Sequence, residues 1–137
     1  MWFAHHIPMG VLQRVISKVL KIRSLCKGNL NIYSGNDDQI IPILSLGGIG
    51  VISVLSNIMP RYTVEMVQKY FNGESKEASN MQIEASRVIE LLFKEVNPIP
   101  VKEGLNILGF NCGKPRLPLI KCSQELNKKL EIEINKY

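Results

Sequence analysis

Residues 30–55 decide how this chain folds: Leu30-Asn31-Ile32-Tyr33-Ser34-Gly35-Asn36-Asp37-Asp38 at one end, and Gly47-Gly48-Ile49-Gly50-Val51-Ile52-Ser53-Val54-Leu55 at the other. The first five residues alternate toward a short strand that Gly35 ends. Asn36, Asp37 and Asp38 each carry a side-chain oxygen that can cap a following helix. That helix is expected over 38–46, with Pro42 tolerated in its first turn. The glycines at 47–50 make a tight turn. Val51 to Leu55 is short, continuous and β-branched, the pattern of a strand buried in a parallel sheet.

Working backward, Val15, Val19, Ile22 and Cys26 recur at spacings of three and four, so 15–26 reads as a helix. Gly28 suits its C-terminal cap. Helix, strand, helix, strand is the order of a parallel α/β unit. Working forward from Asn57, helices are expected over 60–72, 76–95, 101–108 and 123–136, the last capped by Ser123. Asn97-Pro98-Ile99-Pro100 is a rigid break, and 114–118 is extended. Residues 1–14, which include Trp2, His5-His6 and Pro8, follow no period and predict no stable element. Two parallel strands make a poor sheet, because both faces and both edges need cover. The pattern therefore predicts part of a larger α/β object, or a chain that finds cover by association.

Composition narrows the function. Hydrophobic residues at 45% and charged residues at 21% argue against disorder and against a fibrous protein. The net charge of +5 is dispersed, with no like-charge run longer than a pair such as Lys128-Lys129, so no nucleic-acid partner is expected. The longest apolar region, Ile40 to Leu55, is interrupted by Pro42, Ser45, the glycines and Ser53, so no membrane partner is expected either. Residues 1–10 have no signal-peptide pattern. Cys26, Cys112 and Cys122 match no zinc spacing and read as reduced thiols of a cytoplasmic protein. His5 and His6 are adjacent, point apart, and make a poor metal pair.

At Tyr33-Ser34-Gly35-Asn36-Asp37-Asp38 and Gly47-Gly48-Ile49-Gly50-Val51-Ile52-Ser53-Val54 the sequence resembles the dihydrodipicolinate synthase family. Asn97-Pro98-Ile99-Pro100-Val101-Lys102 and Arg116-Leu117-Pro118-Leu119 extend the resemblance, in the family's order and spacing, over about 16–137. The resemblance implies a (β/α)8 barrel with a C-terminal helical extension. It implies condensation of pyruvate with aspartate semialdehyde, through a Schiff base on a sixth-strand lysine and without a cofactor. On this mapping 15–58 holds the last βα units, with Leu30–Ser34 and Val51–Leu55 as seventh and eighth strands. Residues 59–137 are the helical extension, and 1–14 are a leader outside the family pattern, read as out of frame.

The resemblance also implies site residues. Gly35 lines the pocket, where a glycine lets backbone approach a ligand; it also reads simply as a turn glycine. Ile52 offers its main chain to the pyruvate, while its side chain reads as core. Asn36 and Asp37 fall at the mouth, where such barrels place their sites, and both also read as helix caps. Lys102 is not the family's nucleophile. The family expects a lysine-bearing strand just before Ile16, but Ile7-Pro8-Met9-Gly10-Val11-Leu12-Gln13-Arg14-Val15 holds no lysine, and Lys18 and Lys21 lie within the helix. No catalytic residue is assigned, and the chain is expected to be inactive alone. The other reading is an interaction module that completes a barrel with a separate N-terminal half. Homo-oligomers built through exposed apolar surface are a further expectation.

Overall fold

The computed structural model describes residues 9–137. The polypeptide runs through α1 (Met9–Leu25), β1 (Tyr33–Ser34), a 3-10 turn (Asp37–Gln39), α2 (Ile40–Ser45) and β2 (Gly50–Val51). A second 3-10 turn (Leu55–Asn57) then leads into α3 (Pro60–Phe71), α4 (Ser75–Glu84), α5 (Ser86–Leu92), α6 (Ile99–Ile107) and α7 (Gln124–Ile134). Helix α1 starts at Met9, earlier than the periodicity of 15–26 indicates, and so enters the stretch expected to hold no stable element. Trp2, His5 and His6 lie outside the described residues.

The sheet is parallel, with Tyr33 opposite Gly50 and Ser34 opposite Val51. Two further backbone bonds flank this ladder: Ile49 N–H to Ile32 O and Ile52 N–H to Ser34 O, both 2.8 Å. The strands are shorter than the five-residue runs in the sequence, because each has one neighbour and Leu55 already belongs to a 3-10 turn. Helix α2 covers one face of the pair and also touches α1, α3 and α4. Gly47 lies at φ +82°, a left-handed conformation that favours glycine, and its carbonyl accepts Arg23 Nη1 at 2.7 Å. That bond ties α1 to the turn before β2.

The core sits under α2 and among α3–α7, where Ile40, Leu55, Met66, Val88, Leu92 and Leu130 are fully buried in one continuous cluster. Burial of such side chains contributes about 1.5–3 kcal/mol each. The expected single helix over 76–95 is divided at Ala85 (ψ −9°) and ends at Leu92. Two distant hydroxyls explain the division: Tyr62 donates to Met81 O at 2.8 Å and Tyr137 donates to Glu84 O at 2.9 Å. Side chains that take helix carbonyls at one point produce such a kink. The stretch 114–118 is not uniformly extended, since Leu119 N–H closes a turn on Arg116 O at 3.0 Å. Ser123 caps α7 as its position predicts, accepting Leu126 N–H at 3.3 Å.

Candidate functional site

Because β1 and β2 are parallel, the loops that follow them leave the sheet at the same end. Open α/β sheets bind ligands beyond the carboxyl ends of their strands. Gly35, Asn36 and Asp37 follow β1, and Ile52 follows β2, so the four residues come to one edge of the molecule. Gly35 and Asn36 are exposed. A Cβ on Gly35 would meet nothing within 4 Å. Neither crowding nor a left-handed backbone demands glycine there within this chain.

Ser34 organises the first loop. Its hydroxyl donates to Asn36 O at 2.8 Å and accepts Asn36 N–H at 3.3 Å, while its carbonyl accepts Ile52 N–H. Asn36 occupies the cap position of the 3-10 turn, but its side chain makes no capping bond. It lines instead a cleft of about 440 Å³ with Asp38, Gln82, Ile83, Glu90 and Phe93.

Two residues differ from their sequence reading. The side chain of Ile52, expected in the core, is 74% exposed. Among the described residues, helix α2 packs on one face of the two-stranded sheet, and Ile52 and Tyr33 remain exposed. Asp37, expected at the mouth, is 1% exposed. Its Oδ2 accepts Val54 N–H at 3.0 Å and Leu55 N–H at 2.9 Å. It caps the second 3-10 turn rather than its own. Its Oδ1 is buried with no protein partner among the described residues. Gln82 of α4 joins this arrangement, donating from Nε2 to Asp37 O at 2.8 Å and accepting Ile41 N–H at 3.4 Å. Sequence reasoning missed both Ser34 and Gln82. The short Ser-Gly-Asn spacing could have flagged Ser34, whereas nothing local marks Gln82.

The lysines lie apart from this edge's polar network. Lys18 and Lys21 are exposed on α1, and Lys102 donates to Lys114 O at 2.9 Å beside α6. Burial, assisted by Glu95 and Glu103, pushes the Cys122 thiol up to about 11, which suppresses its thiolate. No helix among the described residues is long and apolar enough to cross a membrane.

Residues 10–137 match the model of the dihydrodipicolinate synthetase family, and the chain belongs to that family. It is 54% identical over 110 residues to a 4-hydroxy-tetrahydrodipicolinate synthase of Caldicellulosiruptor bescii, covering 80% of this chain and 37% of the relative. It is 47% identical over 122 residues to 4-hydroxy-tetrahydrodipicolinate synthase 1 of Clostridium acetobutylicum, covering 89% and 42%. The crystal structure of dihydrodipicolinate synthase from Thermotoga maritima superposes with a TM-score of 0.84 at 35% identity, over 88% of this chain and 42% of that one. The chain thus spans about two-fifths of the length of these relatives. The matched residues start at 10, inside the stretch 1–14 read as a leader.

Proposed function

We propose that this chain forms the last two strands and the helical extension of a (β/α)8 barrel, and that it supplies part of the pocket in which pyruvate condenses with aspartate semialdehyde. The observation that carries this reading is the placement of Gly35, Asn36 and Ile52 at the shared carboxyl end of two parallel strands. Gly35 and the Ile52 main chain would face pyruvate, and Asn36 the mouth. The Schiff-base amine would come from a lysine outside these 137 residues. Alone, the polypeptide is inactive. It works in the cytoplasm, needs no cofactor, and reaches activity only in an assembly.

The uncovered apolar surface favours a second element of the same reading. Leu20, Leu25, Tyr33 and Ile52 are each at least half exposed. Exposed apolar surface of this kind marks an interface. Its natural occupant is the polypeptide segment carrying the preceding βα units, with a further copy of the chain as competitor.

The test is to add pyruvate to the purified chain, reduce with borohydride, and weigh the protein. No adduct is expected on the chain alone. On mixing with the N-terminal part of a relative, an adduct is expected on that part's lysine. A stoichiometric adduct on Lys18, Lys21 or Lys102 would refute the proposal.

A further inference from the structure

Two loops leave the sheet at one end, and a single carboxylate holds both. Asp37 lies on the loop after β1, immediately beyond Gly35 and Asn36. Its Oδ2 binds the amides of Val54 and Leu55 on the loop after β2, two and three residues beyond Ile52. An aspartate that only caps its own turn bonds amides two or three positions onward. Asp37 reaches across 17 and 18 positions instead. Bonds from a carboxylate to backbone N–H groups are charge-assisted and short, and burial strengthens them. Ile52 N–H is bonded to Ser34 O, and Ser34 Oγ to both backbone groups of Asn36, so both loops are pinned to the same strand end. Gln82 then clamps the carbonyl of Asp37 and the amide of Ile41 from α4, which is 45 and 41 positions away.

Resting on the pocket reading above, we propose that Asp37 is a positioning residue. It sets the separation between the Gly35–Asn36 loop and the Ile52 main chain, and Gln82 makes that separation depend on α4 of the helical extension. Asp37 itself touches no ligand. The helical extension thereby becomes part of the pocket's geometry, and α4 also lines the cleft beside Asn36.

Residue-resolved amide exchange on the 15N-labelled 137-residue chain tests this. In Asp37→Ala, the exchange rates of the amides of Asn36, Ile52, Val54 and Leu55 are expected to rise at least ~10-fold more than those of α3 and α7. In Asp37→Asn, one amide oxygen can still accept both N–H groups, so protection returns to within about threefold. The Val54 and Leu55 amide protons move upfield in that variant, because the acceptor has lost its charge. In Gln82→Ala, the Gly35 and Asn36 resonances shift while Val54 and Leu55 stay protected. Uniformly faster exchange in Asp37→Ala would overturn the proposal, as would an Asp37→Asn variant no better than alanine. Unmoved Gly35 and Asn36 resonances in Gln82→Ala would remove the link to α4. If Asp37→Ala does not fold, the Asp37→Asn shifts decide: confined to Val54, Leu55 and their neighbours they support the lock, and absent they refute it. None of these readouts requires pyruvate, so a failed borohydride experiment would sink the pocket reading and leave the lock standing.

Discussion

Oδ2 of Asp37 accepts the amide of Leu55 at 2.9 Å, and both residues are buried. The same oxygen takes Val54 N–H, so removing this carboxylate strands two backbone donors. Asp37→Ala should therefore destabilise the chain by about 3 kcal/mol. The exposed neighbour Asp38 should tolerate alanine within about 0.5 kcal/mol. Urea denaturation of the two variants makes the comparison, and equal losses would contradict it.

Glycines at 35 and 48 should respond oppositely. A Cβ on Gly48 would lie 2.7 Å from Ile43 Cγ2 and 2.8 Å from Ile43 O, and a backbone carbonyl cannot rotate aside. Gly48→Ala should cost about 1–3 kcal/mol. Gly35→Ala meets open space and should leave the midpoint of thermal unfolding near that of the parent. If Gly35 faces a ligand, the cost of its substitution will appear only in pyruvate capture by the assembled barrel.

Cys122 should titrate late. Its thiol is raised from an ordinary 9.0 to about 11, first by burial and then by Glu95 and Glu103. Alkylation at Cys122, followed by peptide mapping against pH, should rise with a midpoint near 11. The sign for stability follows from proton linkage. The folded chain keeps a proton that the unfolded chain releases, so this contribution is whole below pH 9 and is lost as pH rises toward 11.

Two exposed apolar side chains, one at the end of α1 and one just beyond β2, should be sticky. Leu25 is 72% exposed and Ile52 74%. Replacing both by glutamate should leave stability within about 0.5 kcal/mol, since neither side chain is packed. Concentration-dependent association of the parent chain should fall. Light scattering across a dilution series would show it, and an unchanged profile would place the contact elsewhere.

Elements set by near neighbours were legible in the sequence. Ser123 could be read as a cap because its partner, Leu126, is three residues away. The β1–β2 order could be read because Gly35 and the 47–50 glycines punctuate it. What failed depended on distance along the chain. Ala85 looks like mid-helix until Tyr62 and Tyr137 arrive to take the carbonyls beside it. Ile52 has every local mark of a core residue, but local pattern states a preference for burial and cannot supply the surface that buries it. Asp37 offered a choice between capping and binding, and its answer lay in the amides of a loop that no spacing rule connects to it.

The open wall around Tyr33 and Ile52 also bears on the life of the polypeptide in a cell. Holdase chaperones and quality-control proteases select newly made chains by exposed apolar segments of this kind. The abundance of the chain would then be governed by how soon that wall is occupied, making whatever covers it a determinant of half-life.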